Sequence, residues 1–244
     1  MWIFCCIFAF ENLYEMMYKR LIFILLIVFF GVSLESRAQY DFAAKNNRGQ
    51  VLYYQVIGNG DSVRVTHPEE EWPYYADNKP VGELVIPDVV THEGKSYRVV
   101  EIGSNAFYRC DSLTGVHGAH IYSVGAQAFC GCVLLKWFMP FSCAHTLTSG
   151  VMCYLRSIGE GAFAYCRSLQ SVTLHDEMEY VGISAFSMCT GLEWAYISPE
   201  AERLCNATTF HGCPLMKEAK NRKIMGEGWI YWSWKSEQDE KISR

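Results

Sequence analysis

Three groups of residues in this chain have the types and spacing to do chemistry. His117 and His120, followed by Cys130 and Cys132, are imidazole and thiolate donors of the kind that hold zinc tetrahedrally. Cys143, His145 and Cys153 form the second group. Cys143 and Cys153 either close a disulfide, worth about 2–3 kcal/mol, or remain two free thiols. Cys143 with His145 has the makings of a thiolate nucleophile and its base. The third group is Gly182-Ile183-Ser184-Ala185-Phe186, which begins like a nucleophile elbow but lacks the closing glycine. No His-Glu-x-x-His pair and no phosphate-cradling glycine loop occurs.

Most of these residues belong to a pattern that explains them without chemistry. Ile158-Gly159 leads to Ala162-Phe163 and Cys166. The same order recurs at Ile102-Gly103 to Cys110, at Val124-Gly125 to Cys132 and at Val181-Gly182 to Cys189, with a worn copy ending in Thr209-Phe210 and Cys213. Between successive cysteines (110, 132, 166, 189, 213) the steps are 22, 34, 23 and 24 residues. Self-similarity at such a period marks a solenoid in which each repeat is one coil. Ser184 is then a repeat position, and Cys132 faces the core as a small hydrophobe, which breaks up the zinc set.

Each coil is expected to contain a short strand with period-two alternation. Leu169-x-x-Val172-x-Leu174, Leu192-x-x-Ala195-x-Ile197 and Leu134-x-x-Trp137-x-Met139 carry it. Parallel strands at 84–86, 116–118, 137–139, 172–174 and 195–197 would form one sheet, about 20 Å wide at ~4.8 Å per strand. A second extended piece enters the Ile-Gly pair, where glycine supplies a backbone conformation closed to other residues. One helical turn then points alanine, phenylalanine and cysteine inward. The fold class is a β-rich α/β repeat solenoid, with short parallel strands and one short helical turn per coil of about 23 residues.

With Trp137 and Met139 inward, His117, Phe138, Thr173 and Tyr196 form one outward row. Gly115, Lys136, Ser171 and Trp194 form the next. Aromatic rings on a solvent-facing sheet anchor interfaces unless another part of the chain covers them. The candidate ligand-binding face is therefore His117, Lys136, Phe138, Thr173, Trp194 and Tyr196. In the competing reading the insertion at about 141–154 folds back over Phe138.

The ends of the chain differ from its middle. Lys19-Arg20, the apolar run 21–30 and the small residues up to Ala38 read as a secretory leader. Met16 or Met17 would be the start, and the mature chain would begin at Gln39. A retained anchor is the alternative, although ten uninterrupted apolar residues fall short of the ~20 that span a bilayer. Residues 39–82 form a β-rich cap, with a hairpin from 51–57 to 62–66 that covers the first coil. The repeats occupy 83–215, and 216–244 form a C-terminal cap and tail. There the aromatic run 229–234 either buries the last coil or offers a sugar-binding strip. A net charge of −5 without a basic stripe excludes a nucleic-acid partner.

The pattern Leu-x-x-Val-x-Leu followed by Ile-Gly-x-x-Ala-Phe-x-x-Cys resembles the BspA-like leucine-rich repeats of bacterial surface and secreted proteins. Gly94 to Gly103 is similar to the first-repeat entry of that family, and Tyr40-Asp41-Phe42 to its start. The resemblance implies a right-handed curved solenoid, export, and adhesion or ligand binding without catalysis. Some family members bind host matrix proteins. This chain departs from the family pattern at its insertion and at the eroded copy 205–210. Unlike the commoner leucine-rich repeat it also lacks an asparagine ladder, with Glu177 at that place. The expected function is an exported interaction or adhesion protein with a protein or glycan ligand. It needs no cofactor, metal or catalytic residue, and it meets the membrane only through export or surface association. The alternatives are a secreted cysteine- or metal-dependent hydrolase built on the insertion, and an envelope scaffold.

Overall fold

A computed structural model gives the protein's structure and describes residues 40–69, 72–75, 78–118, 120–139, 155–214, 222–224 and 230–233. The expected leader, the insertion with Cys143, His145 and Cys153, and most of 216–244 lie outside the described residues.

The chain enters through three antiparallel strands, β1 (Phe42–Lys45), β2 (Val51–Ile57) and β3 (Ser62–Thr66). Alternation buries Leu52 and Tyr54 on β2 and Val63 and Val65 on β3, so this ribbon has one inner face. The hairpin expected across 58–61 forms with Ile57 opposite Ser62, and Gly58 and Gly60 take left-handed φ of 61° and 84°. After β4 (Gly82–Ile86) and β5 (Val89–His92), strand β6 (Lys95–Ile102) pairs in parallel with β3. The entry ribbon thereby continues into the repeats' own row of strands. That row runs on through β8 (Ser123–Val124), β10 (Ser157–Ile158) and β12 (Tyr180–Val181), with Ile102, Val124, Ile158 and Val181 in register and buried.

Beyond each of these short strands lies the Gly-x-x-Ala-Phe-x-x-Cys segment, and here the structure corrects two expectations. The segment is not a helical turn. Its amides alternate between two partners: Asn105, Phe107 and Arg109 donate to the next coil's Ala126, Ala128 and Cys130, whereas Ala106, Tyr108 and Cys110 donate three residues back. Alternation of this kind requires left-handed residues in two places per coil. They are Asn105 and Arg109, then Gln127 and Gly131, Gly161 and Tyr165, and Ser184 and Met188, all with φ between 54° and 76°. A helix would direct every amide within its own coil and leave the stack without this ladder.

The repeat glycine, in turn, is present for space rather than for φ. A Cβ at Gly125, Gly159 or Gly182 would lie 2.4 Å from the backbone nitrogen of Ser104, Ala126 or Glu160 in the preceding coil. None of these three has a positive φ.

Two columns run through the core. The rings of Phe107, Phe129, Phe163, Phe186 and Phe210 stack at 5.2, 5.2, 5.4 and 5.2 Å, within 16° of parallel. The Phe129–Phe163 step is as close as the others although the longer 34-residue repeat interval spans it. The cysteine column is buried and free of disulfides. Its thiols are more than small hydrophobes: Sγ of Cys132, Cys166, Cys189 and Cys213 each donates to the carbonyl of Phe107, Phe129, Phe163 and Phe186, all at 3.1 Å.

Burial pushes the Cys110 thiol up to about 12 and raises Cys132 and Cys166 as well, so none of the three is a ready thiolate. Thiol-reactive reagent on the native chain should therefore spare the five column residues while modifying the half-buried Cys130 and Cys205. Mass spectrometry before and after denaturation measures this. Modification of most column cysteines at the rate of Cys130 contradicts the burial.

The third row is the main strand row, and it departs from the expected single sheet. Strands β4, β7 (Leu113–Gly118) and β9 (Trp137–Met139) form one parallel sheet. Strands β11 (Ser171–Leu174) and β13 (Trp194–Ile197) form the parallel part of another. Between β9 and β11 the backbone bonding ends with Gln170 donating to Lys136 and Ser168 to Val133. At the third position after the inward leucine, the coils carry Val116, Val172 and Ala195, but this coil carries Phe138. That larger side chain, together with the chain's departure into the insertion after three strand residues, ends the ladder.

The last coil replaces its second extended piece by helix α1 (Pro199–Leu204). Ser198 caps it by accepting from the Ala201 amide, and Pro199 stands in its first turn. Strand β15 (Ile230–Ser233) then closes on β13 antiparallel, with β14 (Arg222–Ile224) outside it.

Candidate functional site

The outer faces of the two sheets of the main strand row are the candidate site. Registers decide which side chains reach them. Gly115 is aligned with Trp137, Val116 with Phe138 and His117 with Met139. Val116 is fully buried, so Phe138 points inward, and its ring packs 5.5 Å from Phe129 and 5.1 Å from Phe163. The sequence expectation of Phe138 outward, with Trp137 and Met139 inward, is thus reversed. Its source is Leu134, which is exposed, whereas Leu135 is buried. After four of the five column cysteines the inward leucine stands three residues on: Leu113, Leu135, Leu169 and Leu192. Counting from Cys132 would have found it.

Of the six residues expected on the face, His117, Thr173, Trp194 and Tyr196 fall on outward strand positions. Lys136 lies just before β9 and is exposed, while Phe138 is lost to the core. Trp137 and Met139 take the vacated outward places. The Trp137 indole lies over Gly115, where a Cβ would come within 2.0 Å of its ring, and 4.3 Å from the His117 imidazole. Glycine at 115 therefore makes a seat for this indole. Met139 is 42% exposed. On the second sheet Ser171 is aligned with Trp194 and Thr173 with Tyr196, which is 39% exposed.

Where the two sheets part, a cavity of about 140 Å³ opens between Trp137, Phe138, Leu169, Val172, Met178 and His175. Burial lowers the His175 pKa, partly offset by Asp176 and Glu177. The chain leaves for the insertion from Met139 and returns at Leu155, and both residues border this cavity.

The candidate zinc residues are not brought together. His120 pairs with Asp88 at 3.3 Å, His117 packs on Trp137, and the Cys132 thiol is committed to Phe107. Among the described residues no group of three or more His, Cys, Asp or Glu converges. The Cys143–His145 pair lies outside them.

A family model described as BspA type leucine rich repeat region matches residues 100–223 in six copies. No curated protein matches the chain. Among solved structures, the chain is similar to a leucine-rich repeat protein from Bacteroides ovatus ATCC 8483, at 22% identity and a TM-score of 0.45. That match covers 64% of this chain and 41% of the relative, so the chain spans less than half of that protein. It is also similar to a leucine-rich repeat protein from Bacteroides capillosus ATCC 29799, at 25% identity and a TM-score of 0.47, covering 64% of this chain and 98% of that one. A third is the pneumococcal vaccine antigen PcpA, at 18% identity and a TM-score of 0.43, covering 66% of this chain and 39% of that one. With the repeat present as columns, ladders and a matching family model over half its length, the chain belongs to the BspA type leucine-rich repeat family.

Proposed function

We propose that this chain is an exported, non-catalytic interaction protein whose repeats wind as one curved solenoid. The outer faces of its strand rows hold a protein or glycan ligand, as in adhesion. The observation that carries this reading is the outward placement of Trp137 and Met139 on β9 and of Tyr196 on β13. Met139 and Tyr196 remain 42% and 39% exposed. Solvated aromatic and thioether groups gain most when a partner covers them, and aromatics dominate the energetics of interfaces. Trp194 and His117 extend the surface, and Lys136 adds a cation at its rim.

The test replaces Trp137, Met139 and Tyr196 together with serine. Binding is then measured on arrays of purified extracellular-matrix proteins and of glycans, beside the melting temperature. Loss of at least tenfold in affinity for an array member bound by the parent, with the melting temperature within about 3 °C, is the expected result. Unchanged binding removes the face from the proposal. The Cys143→Ala and His145→Ala variants should keep the ligand, because the proposed binding residues include neither side chain.

A further inference from the structure

We propose that the turn between β1 and β2, from Asn46 to Gln50, locks the open β4 edge of the main strand row and prevents two copies of this chain from pairing through β4. This inference is independent of the ligand reading.

β4 is the first strand of the main row, and among the described residues it pairs with β7 on one side only. A strand in that position presents alternate backbone groups to solvent and templates pairing with another chain. Gly82 faces β7, its amide donating to Ser112, so the alternation turns the carbonyls of Val81, Glu83 and Val85 outward. All three are taken by side-chain amides. Gln50 Nε2 donates to Val81 at 3.1 Å and Glu83 at 3.2 Å, and Asn46 Nδ2 donates to Val85 at 2.8 Å.

The lock is itself held in place. Asn46 is 7% exposed, and its Oδ1 accepts from the amides of Arg48 and Gln50, both at 2.9 Å. Its Nδ2 also donates to Gln50 Oε1 at 2.8 Å, which aligns the two amides along the edge. Arg48 pairs with the Glu83 carboxylate at 2.9 Å, and Gly49 takes the left-handed φ of 76° that closes the turn. Side-chain amides suit this task because they satisfy the edge carbonyls without presenting a strand of their own. The turn thus ends, at β4, the ladder that β7 and β9 continue.

The experiment compares four full-length chains: the parent, Gln50→Ala, Asn46→Ala/Gln50→Ala, and that double variant with Val85→Pro added. Sedimentation velocity over a concentration series reads association, and hydrogen exchange reads the Glu83 and Val85 amides. The double variant should associate at least tenfold more tightly than the parent and protect those two amides in the associated state. Val85→Pro removes an outward N–H that β7 does not use, and should abolish the added association. A folded double variant that sediments like the parent overturns the proposal. So does association that the proline leaves untouched, or a parent that already protects its β4 edge by pairing. Should the double variant fail to fold, Gln50→Ala decides the matter. It keeps the Asn46 turn and frees two carbonyls, so it must associate more tightly than the parent or the inference fails.

Discussion

Phe163→Ala should cost about 3–5 kcal/mol of folding stability, the range for large-to-small changes in rigid cores. The ring is 1% exposed and lies between Phe129 at 5.2 Å and Phe186 at 5.4 Å, with Phe138 against its side at 5.1 Å. Relaxation into the vacated space is blocked because backbone ladders tie the coils on either side: Phe163 and Tyr165 donate to Ala185 and Ser187, and Phe129 and Gly131 donate to Ala162 and Ala164. Since repeats gain stability from nearest neighbours, a gap in mid-stack should also uncouple the two halves. Urea unfolding followed by fluorescence and circular dichroism would then show two transitions in place of one. Phe210→Ala is the comparison: its ring has one column neighbour, Phe186, and should cost less. A loss below about 1 kcal/mol for Phe163→Ala would show that the stack is not the core of the molecule.

The second large effect is expected from the smallest change. Gly159→Ala adds one methyl group, but its Cβ would stand 2.4 Å from the Ala126 nitrogen and 2.6 Å from the Gly125 carbonyl carbon. Both are backbone atoms held in the ladder, so no flexible side chain can yield. Overpacking of this kind costs about 1–3 kcal/mol, and more where the obstacle is rigid. The upper end is expected here, with coil spacing disturbed on both sides. Gly161→Ala is the control, because Gly161 has a φ of +57° but no atom closer than 3.6 Å to its added Cβ. It should cost about 1–2 kcal/mol, the left-handed penalty alone, and tyrosine already tolerates that region at 165 in the same coil. Chemical denaturation of both variants separates the two effects. Equal losses would mean that conformation, not the approach of neighbouring coils, selects the repeat glycine.

What could be read from the sequence follows from the way repeats are built. When one coil stacks on the next, the same inward positions recur, so Phe163 and its four equivalents, the cysteine column and the Ile-Gly entries are visible as spacing alone. The 51–57 to 62–66 hairpin was equally legible, because its Gly58-Asn59-Gly60-Asp61 connection carries local turn chemistry. Family membership was legible for the same reason, since the pattern is the family.

Other features depend on which backbone lies alongside which, and there local pattern is silent. Adjacent leucines at 134 and 135 offer two alternations, and the period of two turns a slip of one residue into a complete exchange of faces. Pairing of β7 with β9 chose Leu135, which moved Phe138 into the core and set Trp137 and Met139 outside. The Gly-x-x-Ala-Phe-x-x-Cys spacing fits one helical turn as well as it fits alternating turns, and only the carbonyls of the next coil, 21 residues on at Phe107 to Ala128, select the second. Asn46 and Gln50 look like ordinary turn residues until β4, 39 residues from Asn46 to Val85, is laid against them. The sequence by itself determined the repeat, because burial acts on each coil alike. The tertiary structure alone decided faces, ladder ends and edges, because those are set by hydrogen bonds between residues far apart in the chain.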